Sequence, residues 1–354
     1  MSFAFRDNVE RMAGYLPGYQ PTDRCAVKIN TNENPYPPSP RVLEALRQLD
    51  GESLRRYPPV LWDDFRRVAA DLHGVEPEMI IAGNGGDELL AMLVRCCCDV
   101  DRPLAYAVPT YSLYPVLAAI ENAPVIEVPF EDEGCGIPAD LYQTNAALTI
   151  LCNPNAPTGT LIPREEVAEL AGAVEGVLAV DEAYVDFAET DCLDLVRQCE
   201  NVIVLRSMSK GYSLAGMRFG YGVGQRRIIE AMIKVKDSYN VNIATQVAAT
   251  AALADQAYFR ENRERIVQER QRLHIALGKL GFEVQESHTN FLWARIGGRG
   301  AGEVYDALCQ RNIYVRYFDQ PNLKDHLRIS IGTVEQNNAL LDGLQAILER
   351  SLES

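Results

Sequence analysis

The sequence predicts an α/β protein: a large domain built on a mostly parallel seven-stranded sheet, with a smaller α+β domain beside it. Three observations carry this expectation. Seven short, largely apolar runs, each with at least one β-branched residue, lie between residues 79 and 223, separated by stretches with helical character. Such runs, without polar alternation, suit parallel strands covered on both faces. The 354 residues also exceed what one small core requires and fit two domains.

The strand candidates are Met79–Ala82, Leu104–Val108, Val125–Val128, Leu148–Cys152, Val177–Val180, Val202–Leu205 and Phe219–Val223. Helix candidates between them include Gly86–Cys97 and Arg164–Val174. One long Arg- and Glu-rich helix is expected from Asp255 to about Lys279. The smaller unit follows, with strands Phe291–Ala294, Ile313–Arg316 and Leu327–Ile331, a helix Gly302–Gln310 and a last helix from Val334. The proline-rich segment Asn34–Pro40 is expected to cross the cleft and join this unit. The domain division is then roughly residues 50–250 for the large unit, and 1–49 with 251–354 for the arm and small unit.

Composition narrows the function. Hydrophobic residues make up 47% and charged residues 23%, ordinary globular usage. A formal net charge of −15 argues against a nucleic-acid backbone binder, which needs a basic surface. The first ten residues lack the apolar core of a signal peptide, and no apolar stretch approaches bilayer length. A cytoplasmic protein with no membrane role is expected. The nine cysteines have no metal-ligand or redox spacing; Cys96, Cys97 and Cys98 are consecutive, and His73, His274, His288 and His326 lie far apart. No metal is expected.

The residues suited to chemistry follow the carboxyl ends of strands, where open α/β sheets bind ligands. Gly83-Asn84-Gly85-Gly86-Asp87-Glu88 joins a strand to a helix, so glycine backbone and free helix N–H groups can approach a phosphate. Taken singly, such a turn is usually only a turn. Asp181-Glu182-Ala183-Tyr184 ends the next informative strand. An aspartate there often just caps; its functional reading is a carboxylate that keeps a pyridinium nitrogen protonated. Arg206-Ser207-Met208-Ser209-Lys210-Gly211 places a lysine after two serines, with Arg218 nearby. Ser207, Ser209 and Arg218 suit a phosphate, and Lys210 suits attack on an aldehyde. Asn153–Gly159 and Pro109-Thr110-Tyr111 complete the set: an asparagine for a cofactor oxygen and a tyrosine for stacking, each also readable as turn or packing.

Together these motifs resemble fold-type I pyridoxal-phosphate enzymes of the aspartate-aminotransferase superfamily, and within it the histidinol-phosphate aminotransferase family. The runs carrying the resemblance are Lys28–Pro40 (KINTNENPYPPSP), Arg56-Tyr57-Pro58, Gly83–Glu88 (GNGGDE), Pro109–Tyr114 (PTYSLY), Asn153–Gly159 (NPNAPTG), Asp181–Phe187 (DEAYVDF), Ser207–Tyr221 (SMSKGYSLAGMRFGY), Tyr239–Asn242 (YNVN), Asn290–Leu292 (NFL) and Leu327–Thr333 (LRISIGT). They span nearly the whole chain.

The resemblance implies pyridoxal 5'-phosphate held covalently by Lys210, which also shuttles a proton. It implies Asp181 at the ring nitrogen, Tyr184 at the ring oxygen and Tyr111 stacked on the ring. The phosphate falls to the backbone of Gly86 and Asp87, to Ser207, Ser209 and Arg218, and to Tyr57 from a second subunit of a homodimer. Arg328 matches the superfamily's substrate-anion arginine, and Arg316 and Tyr19 match substrate-phosphate positions. The implied reaction moves an amino group from histidinol phosphate to 2-oxoglutarate; an aromatic amino-acid aminotransferase and a threonine-phosphate decarboxylase are the rival readings on the same scaffold. A regulator or binding module is the rival from another class; no appended basic segment supports it, and the expected catalytic side chains are present. One departure stands out: relatives commonly have asparagine before Pro-Thr-Gly, where this chain has Ala156. Either Asn155 takes over the ring oxygen or Tyr184 bears it alone.

Overall fold

The computed structural model describes residues 4–23, 25–131, 134–297 and 300–349. A short strand β1 (Val27–Lys28) precedes the large sheet, whose strands are β2 (Ile80–Gly83), β3 (Leu104–Val108), β4 (Val125–Pro129), β5 (Leu148–Cys152), β6 (Val177–Asp181), β7 (Val202–Ser207) and β8 (Gly220–Gly224). Their order is β2-β8-β7-β6-β5-β3-β4, and only β8 runs antiparallel to its neighbours. Every residue of β2, β5 and β8 is buried, whereas the edge strand β4 exposes Val125, Glu127 and Pro129. Burial on both faces accounts for the unbroken apolar runs, and β4 departs from it by carrying Glu127 on its exposed side.

The helix Gly86–Cys97 shows how the sheet fixes its surroundings. Leu89, Leu90, Leu93 and Val94 face the core and are essentially inaccessible. Each such burial is worth about 1.5–3 kcal/mol, enough to anchor the helix with its N-terminus at the sheet's edge. Gly85, at φ +81°, makes the turn into it, a conformation costly for a residue with a Cβ.

The smaller unit holds strands β9 (Phe282–Val284), β10 (Phe291–Ile296), β11 (Ile313–Tyr314), β12 (Arg316–Tyr317) and β13 (His326–Ser330). Four of them form an antiparallel sheet, β12-β13-β10-β9. The single strand expected over Ile313–Arg316 is two strands in different sheets. β11 pairs in parallel with β1, then the chain turns at buried Val315 and β12 pairs with β13. A continuous β-branched and aromatic run hides that change of partner. β9 lies outside the expected strands, because three residues with only Phe282 buried give no readable alternation. The long helix Gln256–Lys279 leaves the large unit, and Val334–Glu349 ends the described chain. The N-terminal arm serves both cores: Ile29 lies in the smaller cluster and Val42 in the larger.

Candidate active site

Gly83, Val108, Cys152, Asp181 and Ser207 end five strands that run the same way, so the loops after them share one edge of the sheet. β8 runs oppositely and brings its first residue, Gly220, to that edge, between Gly83 and Ser207. A buried ion pair locks two of these ends: Arg206 Nε on β7 lies 2.8 Å from Glu182 Oε2, just past β6. Burial pushes the Glu182 carboxyl up to about 7, and the Arg206 charge pulls against that rise.

Ser209, Arg218 and the helix start at Gly86 form a cradle suited to a phosphoryl group. Arg218 Nη1 donates to Ser209 Oγ at 3.4 Å, and Nη2 lies 3.3 Å from Asp87 Oδ2. A Cβ on Gly85 would meet Arg218 Nη2 at 2.7 Å, and one on Gly220 would meet the Gly85 carbonyl carbon at 2.7 Å. Both glycines are therefore needed for the guanidinium and the helix N–H groups to converge. Ser207 accepts from the Ser209 N–H at 3.2 Å, shaping the loop that carries Lys210. The cradle, with a lysine and a carboxylate beyond it, fits pyridoxal phosphate.

Lys210 Nζ donates to the Thr31 carbonyl at 3.2 Å and lies 5.6 Å from the Tyr184 ring center. Burial, and then the nearby Arg328 charge, lower its ammonium to about 8, so a free amine is accessible near neutral pH. Asp181 is buried, and that burial raises its carboxyl to about 6, opposed by hydrogen bonds from the Tyr114 hydroxyl at 2.7 Å and the Ala183 N–H at 3.2 Å. Tyr111 donates to Asp87 Oδ1 at 3.2 Å and packs edge-on against Tyr15 and Tyr114.

The smaller unit brings two arginines toward the cleft. Arg316 and Arg328 are Cα partners across β12 and β13. Arg328 Nη2 donates to the Asn30 carbonyl at 3.2 Å, while its Nε is buried without a partner. Tyr19 is exposed, with its ring against Tyr314 at 5.3 Å; a Cβ on Gly18, the residue before it, would lie 3.5 Å from Arg316 Nη1.

Two expected residues stand apart from this group. Tyr57 is 79% exposed and stacks on Tyr239 at 4.3 Å, next to Asn240, whose carbonyl accepts from Asn84 in the glycine-rich turn. Asn155, expected at a ring oxygen, is a strut of its own loop. Its two amide hydrogens go to the Pro109 carbonyl and Thr158 Oγ1, and its Oδ1 accepts from Thr110. Sequence reasoning gave the arm a place across the cleft but no contacts to Asn30, Thr31, Asn32 and Asn34, which touch Arg328, Lys210, Tyr184 and the Lys210 carbonyl in turn. The asparagine density of Lys28–Asn34 was the available signal. Among the described residues no cluster of His, Cys, Asp or Glu is arranged to hold a metal, and no helix is long and apolar enough to cross a membrane.

The fold and the lysine, carboxylate and phosphate cradle define a pyridoxal-phosphate-dependent aminotransferase. The family model for aminotransferase class I and II matches residues 26–344, and the chain belongs to that family. The sequence is 44% identical over 349 residues to histidinol-phosphate aminotransferase 1 of Trichormus variabilis, covering 98% of this chain and 100% of that one. It is 46% identical over 345 residues to the histidinol-phosphate aminotransferase of Geotalea uraniireducens, covering 97% and 99%. The crystal structure of the Sinorhizobium meliloti histidinol-phosphate aminotransferase, in complex with pyridoxal-5'-phosphate, superposes with a TM-score of 0.89 at 29% identity, covering 99% of each chain. Within its class, the chain belongs to the histidinol-phosphate aminotransferase family.

Proposed function

We propose that the protein transfers the amino group of histidinol phosphate to 2-oxoglutarate, a step of histidine biosynthesis, as a cytoplasmic homodimer. The observation that carries the substrate is the opposed pair Arg316 and Arg328, because a phosphate dianion calls for more positive charge than a carboxylate.

Bound pyridoxal phosphate supplies an electron sink for the charge left when a proton leaves the carbon bearing the amine. Lys210 binds the cofactor and, through Nζ, accepts and returns that proton; its lowered basicity suits both directions. Asp181 holds the proton on the ring nitrogen, with Tyr114 fixing the carboxylate's orientation. Tyr184 donates to the ring oxygen and Tyr111 covers one ring face. Gly86 and Asp87 N–H groups, Ser207, Ser209 and Arg218 hold the cofactor phosphate, joined by Tyr57 from a second copy of the chain. Arg316, Arg328 and Tyr19 bind the substrate phosphate. Residues of roughly 50–250 hold the cofactor in this reading, and the arm with the smaller unit holds the substrate.

A steady-state assay across donors tests the function. Histidinol phosphate should give the highest kcat/KM. A higher value for phenylalanine would favor an aromatic aminotransferase, carbon dioxide release from threonine phosphate a decarboxylase, and cofactor binding without any turnover a binding module.

A further inference from the structure

The turn Asn153–Gly159 has no side-chain donor at Ala156, and Asn155 beside it has both amide hydrogens engaged within the loop. A different asparagine, 152 residues away from Tyr184 in sequence, reaches the region instead. Asn32 Nδ2 donates to the Tyr184 hydroxyl oxygen at 3.0 Å.

The setting of Asn32 is a built one. It is 1% exposed and sits at φ +57°, a left-handed conformation that asparagine tolerates better than most residues. Its backbone N–H donates to Ser330 Oγ at 2.9 Å, and its carbonyl accepts from Asn290 Nδ2 at 3.0 Å. Ser330 Oγ in turn donates to Asn32 Oδ1 at 2.8 Å. With its oxygen held by Ser330, the amide nitrogen is the end that faces Tyr184. Beyond these bonds to Ser330 and Asn290, the Asn32 amide makes the contact with Tyr184.

We propose that Asn32 is a positioning residue for the cofactor's ring oxygen, acting through Tyr184 at a site where Ala156 provides no donor. This rests on the reading of Tyr184 as that oxygen's partner. A tyrosine hydroxyl has one hydrogen and two lone pairs. Donation from Asn32 fills a lone pair and turns the hydroxyl hydrogen away from Asn32, toward the cleft. Donation in series strengthens each bond, so Asn32 makes Tyr184 a better donor. Burial raises the Tyr184 hydroxyl's pKa, while the Arg328 charge and the Asn32 bond oppose that rise. Because Ser330 and Arg328 share β13, the same contact ties the ring oxygen's partner to the strand of the substrate arginine.

The test uses holoenzyme without substrate and reads the pH midpoint of the bound cofactor's visible color change. A donor to the ring oxygen draws off negative charge and makes the proton that oxygen shares easier to lose, so removing a donor raises the midpoint. Tyr184→Phe should raise it clearly. Asn32→Gly, which keeps the backbone conformation accessible, should raise it by about half a pH unit, the scale of one neutral hydrogen bond. Asn32→Asp, nearly isosteric, should raise it at least as far, because a carboxylate accepts the Tyr184 hydrogen instead of donating; it also serves if Asn32→Gly fails to fold. In the double variant the Asn32 effect should vanish against Tyr184→Phe. An unmoved midpoint in both Asn32 variants, or full additivity with Tyr184→Phe, overturns the proposal alone. An unmoved midpoint in Tyr184→Phe instead removes the placement of Tyr184, and the proposal with it.

Discussion

Arg316 and Arg328 stand directly opposite each other in the antiparallel pair of β12 and β13, and both guanidinium groups lie over the ring of Phe318, at 4.9 and 5.5 Å from its center. Like charges in that relation repel. Desolvation and the Arg316 charge both lower the Arg328 pKa, and the tyrosine hydroxyls nearby oppose them only in part. Arg316 forms no ion pair among the described residues. Two cations facing one another in this way, with Arg328 Nε buried and unpaired, suit an anionic substrate group, as proposed above.

That relation yields the first prediction. Arg316→Ala should lower kcat/KM for histidinol phosphate by about ten- to a hundred-fold, since a hydrogen bond to a charged group is worth about 1.5–3 kcal/mol. Phenylalanine transamination should change little. Equal losses with both donors would mean that Arg316 supports the fold rather than the substrate phosphate.

Lys210 should carry the cofactor. After borohydride reduction, the pyridoxyl label should appear on the peptide containing Lys210, and Lys210→Ala should lose several orders of magnitude in turnover while retaining some noncovalent cofactor binding. Label on Lys234 or Lys236 would contradict the assignment.

The same lysine should be unusually reactive in apoprotein. A depressed ammonium pKa means the amine is neutral above about 8, whereas an ordinary lysine stays charged to about 10.4. Competitive labeling with a small amine reagent across pH should give Lys210 a midpoint near 8. Arg328→Gln should move that midpoint upward, because the Arg328 charge is the second cause of the depression after burial. A midpoint near that of the surface lysines would show that the amine is solvated.

Asp181→Asn should bind cofactor yet deprotonate substrate slowly, because a neutral amide does not hold the ring-nitrogen proton. Single-turnover rates within a factor of about three of the parent would make Asp181 merely structural. Apoprotein stability offers a second measure. The folded carboxyl, raised to about 6, binds its proton more tightly than the unfolded one. Its contribution is therefore fully present below the unfolded pKa and is lost as pH rises through about 6. The Tm of Asp181→Asn relative to the parent should rise between pH 4 and pH 7; a pH-independent difference would contradict the raised value.

Tyr57 should act in the neighboring subunit's site. It is exposed and stacked on Tyr239, far along the chain from the cradle residues 207–218. Mixing Tyr57→Phe protein with Lys210→Ala protein should give hybrid dimers whose activity exceeds that of either parent, since one site then carries neither lesion. A fully active monomer would refute the sharing.

Much of this protein was legible without coordinates. The apolar runs ending in Ala82, Val108, Cys152, Val180 and Leu205 marked the strands to within two residues, and the glycine, asparagine and aspartate residues after them marked the loops, because strand burial and turn chemistry are local properties. Lys210, Asp181, Ser209 and Arg218 became candidates from that placement, and the family resemblance supplied their expected roles. Tertiary structure decided which way side chains point and which distant segments meet. Asn155 and Asn32 are both loop asparagines, and nothing local distinguishes the one that braces its own turn from the one that reaches Tyr184. The break at Val315 and the facing of Arg316 with Arg328 depend on pairing between strands, which the run Ile313–Tyr317 does not encode by itself. Local sequence sets backbone preference and burial; the partners of a polar group are set by whatever the fold packs beside it.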